Sequence, residues 1–331
     1  MATVRRRILL AGWTLAVAAG VGELGLRGTV SWRPGYYDAP RAPIGVVHHP
    51  YGDYRFDALG FADRAPEPGD PRPVVAWIGD SVLYGLGCPQ EQRVTEALER
   101  LIPAVNQVNL GTLGFSPDDP ARWRRMLDVA AQVGARSAVW LLNLNDVPAP
   151  PGAFARPYRL PPSALRGWSY LWSALDRSWV AVQTAGAPAV ERFPHRFEER
   201  FDRAGEAIRD VAARFRARGL PLRIVIVPYE MQVSAAAARD YAAAGVAWEP
   251  GFLEGSAQAA LIERLPGLDV VDARPAFDEV PRGVYFVADA GGQADWNHLT
   301  AAGHARLATW LVRSGWAQSS SSGAGATERA R

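Results

Sequence analysis

Four stretches of this chain carry residue types that could do covalent chemistry together. The first is Val74-Val75-Ala76-Trp77-Ile78-Gly79-Asp80-Ser81, an apolar run that stops abruptly at a serine. A serine hydroxyl is a weak nucleophile until a base removes its proton. The best candidate base is His298, in Asp295-Trp296-Asn297-His298-Leu299-Thr300. Asp295, three residues earlier, would fix the imidazole tautomer and stabilise the imidazolium formed during attack. An oxyanion then needs donors aimed at it before reaction. Asn109-Leu110-Gly111-Thr112-Leu113-Gly114 offers backbone N–H groups beside its glycines. Asn143-Leu144-Asn145-Asp146 offers a side-chain amide in Asn145.

Composition removes several competing chemistries. The sequence contains no lysine, so Schiff-base and Ser–Lys mechanisms and the Gly-Lys-Ser/Thr phosphate loop are excluded. Cys88 is the only cysteine and reads as a buried spectator; neither an intrachain disulfide nor a cysteine-based zinc site can form. No metal or other cofactor is expected. An imidazole base must come from His48, His49, His195, His298 or His304. The adjacent pair His48-His49 reads as a loop surface feature, and His304 as a structural residue inside the last helix. A net charge of +2 argues against a nucleic-acid partner. Gly20-Val21-Gly22-Glu23-Leu24-Gly25 matches a dinucleotide fingerprint only formally, because no strand precedes it. Nor is the Gly-x-Ser-x-Gly elbow present, since Leu83 occupies its last position.

These residues must be held by a scaffold, and its periodicity points to α/β. The run at Val74 lacks polar alternation, as expected of a parallel strand covered on both faces. Further strands are expected at Val105 to Leu110, Ser137 to Leu144, Leu222 to Val227 and Asp269 to Asp272. Helices are expected from about Glu91 to Ile102, and at Pro117 to Val133, Arg196 to Arg218, Phe252 to Leu265 and Thr300 to Arg313. That alternation predicts a parallel sheet flanked by helices. In such sheets chemistry sits at the carboxyl ends of strands, where Ser81, Gly114 and Asn145 all fall.

The rest of the chain reads as decoration. Arg5-Arg6-Arg7 followed by the apolar Ile8 to Val21 reads as an export segment over residues 1–27. It is either a signal peptide cleaved near Ala16-Val17-Ala18 or an inner-membrane anchor over Ile8 to Leu26. Residues 28–73 read as an extended arm and 74–316 as the main domain. Residues 147–195 form an insertion in which Trp168, Trp172, Leu175 and Trp179 share one helical face. Residues 317–331 read as a disordered tail.

Gly79-Asp80-Ser81, then Gly114, then Asn145-Asp146, then Asp295-x-x-His298 resembles the SGNH (GDSL-type) hydrolase superfamily over roughly residues 74 to 315. The resemblance implies a flavodoxin-like three-layer α/β/α sandwich. It implies Ser81 as nucleophile, His298 as base and Asp295 as orienting acid, with Ser81 N–H, Gly114 N–H and the Asn145 side chain forming the oxyanion hole. One departure is Asn143, which stands where that family usually carries glycine. The layout is also similar to a bacterial, exported or membrane-anchored subgroup of proteins that add or remove acetyl groups on polysaccharides. The expected activity is a serine esterase acting on a small O-acyl ester of an acylated glycan, in the periplasm. The alternatives are an exopolysaccharide O-acyltransferase using the same site, and a catalytically silent carbohydrate-binding scaffold.

Overall fold

The computed structural model describes residues 2–29, 45–49, 52–64, 67, 69–147, 169, 171–172, 175, 198–243, 250–277, 281–287 and 297–319. The chain divides into two compact units. The first comprises Met1–Arg41, His48–Pro50 and Ala155–Ala187; the second comprises Ala42–Val47, Tyr51–Phe154 and Pro188–Arg331.

In the first unit, α1 (Ala2–Thr29) runs as one helix through the expected export segment. Glu23 on this helix accepts the Ser169 hydroxyl at 2.9 Å and the Leu171 N–H at 2.8 Å. The same carboxylate pairs with Arg27 one turn on, at 2.8 Å. The expected anchor Ile8 to Leu26 lies within α1, yet no helix among the described residues is long and apolar enough to cross a membrane. Its glycines and Glu23 dilute the apolar run. Of the expected tryptophan stripe, Trp172 and Leu175 are described as helical, while Trp168 and Trp179 lie outside the described residues.

The second unit is built on a five-stranded parallel sheet. In chain order its strands are β3 (Val74–Gly79), β4 (Asn106–Asn109), β5 (Ala135–Asn143), β6 (Leu222–Val227) and β7 (Asp269–Asp272), following a small two-stranded sheet of β1 (Gly45–His49) and β2 (Gly52–Phe56). The spatial order is β4-β3-β5-β6-β7 with every pairing parallel. Counted within the main sheet this is 2-1-3-4-5, the flavodoxin-like order, and its switch point lies between β3 and β5.

Alternate residues of each strand feed two separate cores, which explains the missing polar positions. Ala76, Ile78, Trp140, Leu142, Ile224 and Ile226 pack with Trp123, Phe201, Ile208 and Leu261 on one face. Val75, Trp77, Val139, Leu141, Val225 and Val227 pack with Val94, Leu98, Leu307 and Leu311 on the other. The sheet is therefore the middle of an α/β/α sandwich. After α2 (Ser81–Tyr84), α3 (Val94–Leu101) covers one face, and α4 (Pro120–Gln132) and α5 (Glu198–Ala217) cover the other.

Four elements differ from expectation. The helix expected over Phe252 to Leu265 is broken, because Gly255 takes a left-handed conformation (φ 87°) between the turn Pro250–Leu253 and the helix Ser256–Glu263. A helix at Ala235–Ala243, α6, has no counterpart among the expectations; its alanine-rich sequence carries almost no amphipathic signal. We label Ser256–Glu263 as α7 and the closing helix Ala301–Arg313 as α8. Finally, part of the expected arm is built into the second unit, where Tyr54, Phe61 and Ala62 are buried. The turn Trp316–Ser319 takes in the first residues of the expected tail.

Candidate active site

Ser81 stands at the first position of α2, two residues beyond the carboxyl end of β3. The turn into α2 is tight because Gly79 lets β3 run close to β5: a Cβ there would lie 2.6 Å from the Leu141 carbonyl oxygen and 3.0 Å from Leu83 Cβ. Asp80 caps the short helix, accepting the Val82 N–H at 2.8 Å. Gly85, at φ 89°, ends it. As the first helical residue, Ser81 has an N–H with no intrahelical acceptor.

His298 arrives from the far end of the chain. It lies just before α8, whose cap Thr300 accepts the Gly303 N–H at 3.1 Å and donates its hydroxyl to the Val284 carbonyl at 2.8 Å. The His298 segment is fixed against residues 284–287 by Val287 N–H to His298 O and Thr300 N–H to Tyr285 O, both 2.9 Å. Imidazole Nε2 of His298 lies 2.9 Å from Ser81 Oγ. With the proton on Nδ1, Nε2 accepts the serine hydroxyl, the arrangement a general base needs. Asp295, expected to orient this ring, lies outside the described residues.

The expected oxyanion donors surround the switch point. Gly111 is excluded as a donor: its N–H is already given to Asn109 Oδ1 at 2.9 Å. Its α-carbon packs so closely on α2 that a Cβ would meet the Tyr84 nitrogen at 2.5 Å. Gly114, at φ +66°, is exposed on the loop leaving β4. That loop is tied to β3 by Thr112 N–H to Gly79 O at 3.0 Å. Asn145 sits in the single turn Leu144–Asp146 after β5, and its side chain favours the charged form of Asp80.

Residue types alone did not reveal the groups behind these donors. Asn143 is fully buried and its side chain does the work of a cap, with Oδ1 accepting the Asn145 N–H at 3.1 Å and Nδ2 donating to Val227 O at 3.4 Å. Asp146 is 2% exposed and completes the capping box by accepting the Asn143 N–H at 3.2 Å. Asp80 is 1% exposed and also receives the Ser81 hydroxyl at 3.2 Å as an alternative to His298. Burial pushes the Asp80 carboxyl up, while the Val82 N–H and the His298 charge pull it back. Burial, and after it the charge of Asp80, push the Asp146 carboxyl well above the usual range. The signal available in the sequence was the carboxylate beside each polar site residue, Asp80 before Ser81 and Asp146 after Asn145.

Behind α2 lies a second polar cluster. Arg93 is fully buried, donating to Ala62 O at 2.6 Å and to Gln90 O at 3.0 Å, and pairing with Glu96 and with Asp63. Tyr54 OH donates to the Gly85 and Cys88 carbonyls, so the loop following the nucleophile turn is pinned from outside. Cys88 is buried and its thiol is pushed up to about 12 by burial. His304 is buried in α8, away from the serine, with Nδ1 accepting the Val94 N–H at 3.2 Å. His48 and His49 fall in β1. His195 lies outside the described residues, and no cluster of metal ligands occurs among those described.

No family model matches the sequence, and no curated protein matches it. Solved structures do align with it. TesA aligns over 72% of this chain and 96% of its own, at 15% identity and a TM-score of 0.38. The psychrotrophic esterase EstA from a Pseudoalteromonas species aligns over 74% and 98%, at 10% identity and a TM-score of 0.39. A GDSL-like lipase from Bacteroides thetaiotaomicron aligns over 77% and 92%, at 12% identity and a TM-score of 0.37. In this chain a serine and a histidine lie in direct contact at the switch point of a flavodoxin-like sheet.

Proposed function

We propose that this chain is a serine esterase of SGNH type that hydrolyses a small O-acyl ester. The observation that carries the reading is the 2.9 Å approach of His298 Nε2 to Ser81 Oγ. His298 takes the hydroxyl proton as Ser81 Oγ attacks the ester carbonyl, and the Ser81 N–H, Gly114 N–H and Asn145 amide receive the developing oxyanion. His298 then returns the proton to the leaving alcohol, and water attacks the acyl-serine by the same route in reverse. Asp295 orients the ring in this reading. An acetyl group on an exported polysaccharide, met in the periplasm, is the substrate that the resemblance favours.

The test is hydrolysis of p-nitrophenyl acetate by the full chain, by Ser81→Ala and by His298→Ala. Each substitution is expected to lower kcat on the order of 10⁴–10⁶-fold. Wild-type turnover in Ser81→Ala would remove the serine mechanism. Acetate release from acetylated glycans, compared with longer acyl esters, then ranks the natural substrates.

A further inference from the structure

We propose that Tyr54 is a positioning residue for the reacting pair: its hydroxyl holds loop 85–88 in place, and that loop backs both Ser81 and His298. The catalytic consequence rests on the esterase reading; the hold on the loop does not.

Loop 85–88 is Gly-Leu-Gly-Cys, and both of its glycines take left-handed conformations, Gly85 at φ 89° and Gly87 at φ 96°. Such a loop has little stiffness of its own. It nevertheless reaches both halves of the site. The Gly85 and Leu86 N–H groups donate to the Ser81 carbonyl at 3.1 and 3.0 Å, closing the turn that carries the nucleophile. Gly87 packs on Val287 so closely that a Cβ there would overlap the valine side chain. Val287 in turn donates its N–H to the His298 carbonyl at 2.9 Å. A displacement of this loop therefore shifts Ser81 and His298 relative to each other.

The loop is held from β2. The Tyr54 hydroxyl meets the Gly85 and Cys88 carbonyls, one at each end of the loop, and donates its proton between them. Tyr54, Gly85 and Cys88 are all buried, so loss of the hydroxyl takes a donor from two carbonyls shielded from solvent. The tyrosine ring is itself fixed. It packs against Tyr84 with centroids 4.8 Å apart, and the Arg93 guanidinium stands 5.5 Å from its centroid. Just past the loop, Gln90 clamps the β2 backbone at Arg55, accepting its N–H at 2.7 Å and donating to its carbonyl at 3.1 Å. Tyr54 touches no reacting atom; it acts through the backbone of residues 85–88.

The experiment compares the full chain with Tyr54→Phe, which keeps the ring and loses the hydroxyl, and with Ile208→Val, a core truncation on α5 that serves as the control for lost stability. The quantities read are Tm, kcat and KM for p-nitrophenyl acetate, and amide hydrogen exchange at Leu86 and Val287. We expect Tyr54→Phe to lower kcat about tenfold to a hundredfold with KM within about twofold of wild type, as misplacement of reacting groups does. Exchange at Leu86 and Val287 should rise at least about tenfold through local opening of the loop. Ile208→Val, which lowers Tm without touching the loop, should change neither. A kcat in Tyr54→Phe within about twofold of wild type overturns the proposal, and so does an equal fall in Ile208→Val. If the wild type hydrolyses no ester, the esterase reading fails, and exchange still decides the hold on the loop: faster exchange in Tyr54→Phe upholds it and unchanged exchange overturns it.

Discussion

The Val94 N–H donates to Nδ1 of His304 at 3.2 Å, so the first turn of α3 is capped by a ring from α8, a helix that lies 210 positions further along the chain. The ring is buried and must be unprotonated at Nδ1 to accept. Burial first, and then the Arg93 charge, lower its pKa to about 3. In the unfolded chain a histidine titrates near 6.5. Between these values the unfolded state binds the extra proton, so this residue's contribution to stability is lost as pH falls from about 6.5 toward 3, at up to ~1.4 kcal/mol per pH unit. Asp63, pushed up to about 7 by burial, works in the opposite sense, because its folded form holds a proton that the unfolded form releases. Urea unfolding of wild type and His304→Asn at several pH values from 4 to 7 separates the two. The Asn side chain retains an acceptor for Val94, and the variant should lose less stability on acidification than the wild type does.

Asn145→Ala should lower kcat for p-nitrophenyl acetate on the order of 10²–10³-fold while leaving the fold intact, since Asn145 is exposed and its backbone N–H keeps its bond to Asn143. Gly111→Ala provides the contrast. It should fail through packing against Tyr84 and Leu83, read as a lower Tm, rather than through loss of an oxyanion donor. Equal thermal stability in the two variants would contradict this division.

Gly79→Ala is expected to cost stability and activity together. The new methyl would stand 2.6 Å from the Leu141 carbonyl, so β3 and β5 must part at the point where Ser81 and Asn145 are brought together. Overpacking of this kind costs about 1–3 kcal/mol. Denaturant unfolding gives the first number and kcat the second.

Arg93→Met should be among the most damaging single substitutions outside the site. It leaves Asp63 and Glu96 without their buried cation, and breaking such a pair from one side costs about 3–5 kcal/mol. Adding Glu96→Gln to Arg93→Met should recover part of the loss, which chemical denaturation of the single and double variants would measure.

The sequence reading and the structure agree best where one physical signal dominates. Leu222–Val227 was legible to the residue, because a short apolar run with no helical period has one economical use, a strand buried in a sheet. The closing helix was legible from Thr300, whose hydroxyl caps it as a threonine before an apolar-periodic segment should. Agreement fails where a local pattern is overruled by distant atoms. Gly255 breaks a helix that hydrophobic periodicity alone would continue. Arg93 is fully buried, paired with Asp63 from the segment before β3.

The sequence by itself determined the class of scaffold and brought Ser81 and His298 forward as the candidate pair. Continuous apolar strands demand cover on both faces, and the absence of lysine and of a second cysteine narrowed the candidate nucleophiles. Only the tertiary structure decided how those residues meet. It set Ser81 against His298 across 217 positions, removed Gly111 as a donor by giving its N–H to Asn109, and buried both Asp80 and Asp146. Each of these depends on which strand lies beside which. A parallel strand order is fixed by packing between segments far apart in the chain, and no local spacing encodes it.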